Sequence, residues 1–189
     1  FGLFPRTGIP PFVDSYKSFK DTIYNYTKSK SIVKPRHIWW KIRPHLDFGT
    51  LEFRIFDVQR SLENTKMIAA ICQALVHKIY SDLKENKTFN NYNLEYMNDG
   101  LWKAASKGID SLIINPLNEK PISMIDMVNS MLDYIYPSLV YFNTSEIQNT
   151  VEKILKGNSE SNNQIKIFND SGIKALKKYL IKNVEYKII

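Results

Sequence analysis

Three cations and one carboxylate share the same face of a short predicted hairpin in Trp39-Trp40-Lys41-Ile42-Arg43-Pro44-His45-Leu46-Asp47-Phe48-Gly49-Thr50-Leu51-Glu52-Phe53-Arg54-Ile55-Phe56-Asp57. In the second strand the period-2 alternation sends Thr50, Glu52 and Arg54 to one face and Leu51, Phe53 and Ile55 to the other. In the first strand Trp39, Lys41 and Arg43 share a face, with Trp40 and Ile42 opposite. Taking Pro44 to Gly49 as the turn places Arg43 near Thr50, Lys41 near Glu52 and Trp39 near Arg54. A carboxylate among cations keeps a low pKa, so Glu52 should be ionised and available to a hard cation such as Mg²⁺. Arg43 and Arg54 carry rigid donor forks that match phosphate oxygens bidentately. Carboxylate for metal and arginines for developing negative charge are parts of a phosphoryl-transfer site. Lys41, Trp39 and Thr50 share that face and are expected to line its pocket. A lone strand Glu is more commonly an edge residue on a solvated face, and the apolar opposite face with cations on both strands argues against that here.

The elements that must hold this hairpin follow from periodicity and punctuation. Phe4 to Pro11 reads as an extended Pro/Gly loop. A helix is predicted over about Val13 to Lys28. Ser61 can N-cap a helix whose stretch Met67 to Tyr80 is apolar over much of its circumference, as a helix packed hard on neighbours requires. Further helices are predicted over about Leu94–Lys107, closed by Gly108, over Ser123–Val140, interrupted or ended near Pro137, and over Thr144–Lys156. Ile109 to Asn115 is short and β-prone, Asn158 to Asn163 a polar loop, and Gly172 to Val184 a basic terminal helix. The pattern predicts an α+β fold, an antiparallel sheet with helices packed on one face, in a single domain over residues 1–189.

Composition bounds the function classes. The 189 residues can bury a substantial core, and 43% hydrophobic with 24% charged residues is globular rather than disordered. A formal charge of +7 favours an anionic partner, although a lysine-rich solvated surface would give the same balance. Cys72 is the only cysteine, which excludes a disulfide framework and a cysteine-rich metal site and fits a reducing, cytoplasmic setting. No apolar run reaches the roughly twenty residues of a membrane span. The chain opens in mid-pattern at Phe1 without an initiator Met, and is expected to be part of something longer.

Phe4-Pro5-Arg6-Thr7-Gly8-Ile9-Pro10, Trp39-Trp40-Lys41-Ile42-Arg43-Pro44 and Phe48-Gly49-Thr50-Leu51-Glu52-Phe53-Arg54-Ile55-Phe56-Asp57-Val58-Gln59 together resemble the carboxy-terminal half of the type 2 glutamate–cysteine ligase family. Trp102-Lys103-Ala104-Ala105 with Gly108 is similar to the same family more loosely, and Ser106 departs from the basic residue expected there. The resemblance implies a glutamine-synthetase-like fold and an ATP- and Mg²⁺-dependent carboxylate–amine ligase. Such an enzyme phosphorylates the side-chain carboxylate of glutamate or a similar acid and lets an amine or amino acid displace phosphate. It further implies Glu52 as a metal ligand, Arg54 as the residue steadying the transferring phosphoryl group, and Arg43 as an ATP-phosphate contact. Arg6 would hold the acid substrate; a loop arginine capping a helix is the plainer role for it. The family draws most of its acidic metal ligands from an amino-terminal half, so this segment alone is expected to be inactive.

Other features have structural readings. One of Trp39 and Trp40 belongs to the core and the other to the pocket, His77 on its apolar helix reads as a satisfied core histidine, and His45 in the turn is either a ligand or base or simply solvated. Asp57 reads as a structural partner for a neighbouring arginine or a backbone cap. Two readings compete with a ligase: a non-catalytic nucleic-acid-binding domain using the basic charge and Lys174, Lys177, Lys178 and Lys182, and a degenerate relative kept as an interaction module. Arginines sharing a face with Glu52 argue against nucleic acid, because Glu52 repels phosphate unless a metal intervenes. An open sheet edge would invite pairing with another chain, including a second copy.

Overall fold

Two separate apolar cores organise the chain, and the predicted active-site hairpin belongs to the smaller one. The computed structural model describes residues 4–89 and 92–182. The architecture is α+β, with the strands in two independent antiparallel hairpins, β1 (Ile42–Pro44) with β2 (Leu51–Phe53) and β3 (Leu112–Ile114) with β4 (Pro121–Ser123), instead of one sheet.

The smaller core gathers Phe19, Ile23, Ile32, Ile38 and Trp40, with Leu46 of the hairpin loop packed against it. Phe19 and Ile23 are one turn apart on α1 (Tyr16–Lys28) and so face the same way. This helix starts later than its apolar spacing suggests because Ser15 is its N-cap, its hydroxyl accepting from the Ser18 amide at 3.1 Å. Trp40 is the core member of the tandem pair at 4% exposure, whereas Trp39 is 44% exposed.

The larger core joins α2 (Leu62–Lys84), α4 (Met124–Tyr141) and α5 (Ile147–Leu155). Ala70 and Ala74 of α2 lie among Leu132, Ile135 and Leu139 of α4, with Ile147 and Val151 of α5 completing the cluster. Ser61 caps α2 as expected, its hydroxyl accepting from the Asn64 amide. Pro137, expected to interrupt or end α4, lies inside a continuous helix. A proline inside a helix, through its missing N–H and its ring clash, costs about 3 kcal/mol, and burial of Ile135, Ser138 and Leu139 on both sides of the proline offsets it. Asp82 fixes the far end of α2 to α4, accepting from Lys78 and Lys87 Nζ at 2.5 and 2.8 Å and from Tyr134 OH at 2.7 Å. Burial and this carboxylate push the Tyr134 phenol up to about 12.

Two expectations change in the second half. Only β3 was legible from sequence; Pro121–Ser123, three residues opening on proline, pair with it in the register Leu112↔Ser123. The polar segment 158–163, expected as a loop, instead opens α6 (Glu160–Lys182). Gly172, at φ 73 and ψ −177, breaks α6 into two helical segments, a conformation only glycine adopts readily. The predicted end of this helix at Val184 lies outside the described residues. Arg60 pins α6 near the start of α2, donating to Glu160 Oε1 at 2.5 Å and to the Tyr179 carbonyl at 2.9 Å.

Leu139 has no exposed surface and lies where α4 meets α2. Leu139→Ala is expected to lose roughly 2–5 kcal/mol of stability by cavity formation, read as a fall in the urea midpoint with little change in slope.

Candidate active site

The hairpin turns one position later than expected, and this changes the partners on its charged face. The observed register is Ile42↔Phe53, Arg43↔Glu52 and Pro44↔Leu51, and the His45 amide donates to the Thr50 carbonyl at 2.8 Å. Arg43 therefore faces Glu52 rather than Thr50. The Arg54 amide donates to the Lys41 carbonyl at 2.8 Å, so Lys41 faces Arg54 rather than Glu52, and Trp39 does not pair with Arg54. The cause lies in the loop. His45 Nδ1 accepts from the amides of Asp47 and Phe48 at 3.2 and 3.3 Å, so the loop begins at His45 and leaves Pro44 in the strand. Gly49 closes it at φ 62, a left-handed conformation without penalty for glycine. A shift of two in register preserves the faces, so the expected face set stands while its pairings change.

Glu52 is gripped from both sides: one carboxylate oxygen accepts from Arg43 and the other from Arg54. Burial works to raise its pKa, but the hydrogen bonds and charges of the two guanidinium groups outweigh it and hold the carboxyl below its ordinary value. Arg43 is 9% exposed, and its other donor edge reaches the main-chain carbonyls of Arg36 and Ile38 at 2.7 and 2.8 Å. Its guanidinium thus ties β1 to β2 and to the short 3-10 turn Pro35–His37. Arg54 is more open, and its pairing with Glu52 leaves part of its donor fork available.

The motif loop of residues 4–10 runs beside the hairpin. The amides of Trp39 and Lys41 donate to the carbonyls of Arg6 and Gly8 at 2.9 and 3.0 Å, a parallel, strand-like pairing. Gly8, Lys41 and Arg54 consequently lie side by side, and Arg6 comes beside Trp39. Arg6 holds φ 66, unusual for a side chain this large, and its Nε is buried with no hydrogen-bond partner among the described residues. Its guanidinium lies 5.8 Å from the centre of the Tyr26 ring and caps no helix. Thr50, exposed in the loop, borders a groove on the opposite side of β2, between Leu51 and Phe53 and the α2 residues Gln73, Val76 and His77.

Residues read as structural keep that role with one exception. His77 Nδ1 shares a 2.9 Å hydrogen bond with the buried Ser138 hydroxyl, and its ring stacks on Tyr141. The carboxylate of Asp57 makes no ion pair among the described residues; the nearby Arg60 pairs with Glu160 instead. Sequence reading passed over Lys34, which precedes the 3-10 turn Pro35–His37, and Arg36 within it. Their position beside Pro35, directly before the tandem tryptophans, was the available signal.

The α+β scaffold thus brings together a buried arginine, a strand carboxylate, a second arginine on the same face and the Arg6 loop alongside. The glutamate–cysteine ligase family 2 model matches residues 1–167, and the chain belongs to that family. Among curated relatives, a protein of Solibacter usitatus is 30% identical over 187 residues, covering 98% of this chain and 49% of its own length. One of Herpetosiphon aurantiacus is 32% identical over 96% of this chain and 48% of its own, and one of Chloroflexus aggregans is 35% identical over 71% and 35%. All three are named "putative glutamate–cysteine ligase 2". The chain spans about half the length of the first two. The family and these relatives are named for a ligase, and the nucleic-acid reading is not favoured. Among the described residues no helix is long and apolar enough to cross a membrane.

Two outcomes are expected. Arg43→Lys keeps the charge but cannot span Glu52 and two carbonyls, and should lose roughly 2 kcal/mol or more in denaturant unfolding. Because the folded state lowers the Glu52 pKa, its contribution to stability is complete above the ordinary carboxylate value of 4.5 and disappears as pH falls through the lower folded value. Glu52→Gln should therefore be less stable than the parent at pH 7 and show a shallower loss on acidification, measured as melting temperature against pH.

Proposed function

We propose that the full-length protein is an ATP- and Mg²⁺-dependent carboxylate–amine ligase acting on glutamate or a similar acid, and that this chain supplies one wall of its active site. The observation that carries the reading is Glu52 held ionised between Arg43 and Arg54, with the Arg6 loop paired along the same hairpin. The family supports the reaction class, and the site residues suit it.

In such a reaction a carboxylate oxygen of the acid attacks the terminal phosphorus of ATP, the bond to the bridging oxygen breaks, and an acyl phosphate forms. The amine nitrogen then attacks the acyl carbon, phosphate leaves, and the amine's proton is lost. Arg54, open on one side, is placed to hold phosphoryl oxygens as negative charge accumulates on them. Arg43 has its donors committed, so its role is to fix the orientation of Glu52. Arg6, with its unused Nε, suits the carboxylate of the acid substrate. Lys41 and Trp39 line the row between the Arg6 loop and Arg54, whereas Thr50 borders the groove on the opposite side of β2.

Glu52 fits Mg²⁺ in a limited way. Each of its oxygens accepts one hydrogen bond and keeps further lone-pair capacity, and Mg²⁺ is commonly held by one or two carboxylates together with phosphate oxygens and water. No group of three or more His, Cys, Asp or Glu side chains gathers among the described residues. Glu52 would thus be one ligand, and the rest would come from ATP and from the remainder of the full-length protein. When bound, the metal would neutralise phosphate charge.

The test is phosphate release by the full-length protein with ATP, Mg²⁺ and glutamate across a panel of amines. Glu52→Gln and Arg54→Lys should each lower amine-stimulated release by about a hundredfold or more, the scale of one lost transition-state electrostatic contact. Release unaffected by either substitution, or none with any amine from a folded protein, would sink the reading and favour a degenerate interaction module.

A further inference from the structure

The helix α2 is apolar on two opposite sides, and only one of them is covered. Met67, Ala70 and Ala74 face the core shared with α4 and α5. Cys72, Val76, Ile79 and Leu83, at i, i+4, i+7 and i+11, form a second stripe on the other side. Leu83 on this stripe is 54% exposed and the adjoining Tyr80 57%. Cys72, Val76 and Tyr80 line a groove of about 700 Å³ that Leu51, Phe53 and Phe142 also border. No Asp, Glu, Lys or Arg side chain lines it. A helix that is apolar around most of its circumference belongs in an interior, and this side of α2 has none among the described residues.

The strand beside the groove also has an open edge. The His45 amide donates to the Thr50 carbonyl and the Arg54 amide to the Lys41 carbonyl. Residues 50, 52 and 54 therefore turn their backbone groups toward β1, and by antiparallel alternation those of Leu51 and Phe53 point the other way. Among the described residues β2 pairs with β1 alone, so that outer edge is unpaired. Ile55, Phe56 and Val58 follow it as exposed apolar residues. An open edge beside bare apolar side chains is a template for another strand.

The relatives from Solibacter usitatus and Herpetosiphon aurantiacus align with 98% and 96% of this chain, which spans 49% and 48% of their lengths. A full-length protein of that size has about as many residues again to pack against these. A groove without charged side chains suits permanent burial within one protein better than a partner that comes and goes. We propose that the remainder of the full-length protein docks here, adding an extended strand along Leu51 and Phe53 and seating its apolar side chains in the groove against α2. Alternate side chains of that strand then fall on the opposite face, beside Glu52 and Arg54. The docking is independent of the ATP-dependent reading, because it follows from uncovered surface and shared length.

Amide hydrogen exchange of the full-length protein, resolved residue by residue, tests the strand. The Arg54 amide, bonded to Lys41 inside the hairpin, is the internal standard. The Leu51 and Phe53 amides should exchange about a hundredfold or more below free-peptide rates, as Arg54 does. Free exchange at both, with Arg54 still protected, would overturn the proposal. The occupant is read by photo-cross-linking from the exposed groove residue, with Tyr80→p-benzoylphenylalanine in the full-length protein. The expected product has monomer mass and joins position 80 to a peptide outside these 189 residues. A product of twice the monomer mass would put a second copy in the groove and overturn the proposal. So would cross-links confined to residues 1–189, or none at all. Each of these failures leaves the ligase reading standing, since turnover is not measured.

Discussion

The ion pair between Arg43 and Glu52 is the constraint on which the site depends. The hairpin is only three residues deep on each strand, far short of what holds a two-stranded ribbon in water by itself. Its ladder is reinforced from within by one guanidinium that reaches across to β2 and back to two carbonyls of the preceding turn. Burying an arginine is costly unless every donor edge is used. Here the cost is met by the carbonyls of Arg36 and Ile38 and by a carboxylate that is itself held by Arg54. The arrangement fixes register, turn and carboxylate orientation together, so none of the three can change without the others.

The scaffold divides the labour. The α2–α4–α5 core contains the tightest apolar packing and no candidate site residue, and its polar anchors, Asp82 with Lys78, Lys87 and Tyr134 and the His77–Ser138 pair, join helix to helix. The smaller core around α1 carries the charged hairpin and the motif loop, with Trp40 and Leu46 as its links to the hairpin. Trp40 is buried while its neighbour Trp39 opens toward the Arg6 loop, so the tandem pair couples core to site through adjacent backbone. That coupling explains why two distant motifs, residues 4–10 and 39–59, act as one unit in the fold.

Much of this was legible in the sequence because strand alternation is a strong signal. The charged face, the buried member of the tryptophan pair and the capped start of α2 all follow from period and residue type. Register was not legible, since alternation is indifferent to a slip of two and the deciding contact is a side-chain cap from His45 inside the loop. Pro137 misled because propensity weighs one lost hydrogen bond, whereas the helix is held by Ile135 and Leu139 against α2. β4 escaped because three residues with a leading proline carry no periodic signal. The commitment of Arg43 to main-chain carbonyls lies beyond sequence reading altogether: an arginine two residues from a turn has the same signature whether it greets a ligand or a backbone.

The difference between the two arginines is then a matter of geometry rather than type. Arg43 and Arg54 each bond one oxygen of the same carboxylate, yet only Arg54 keeps solvent access on its remaining edge. A charged group can stabilise a transition state only where its field is not already spent on fixed partners. Under the proposed reading Arg43 would preorganise the site and Arg54 would respond to developing charge, with Glu52 held below its ordinary pKa by both. Ile55, Phe56 and Val58 follow β2 as exposed apolar residues beyond the last ladder pair, Val58 at 95%. An exposed apolar run flanking a half-open arginine belongs at a seam.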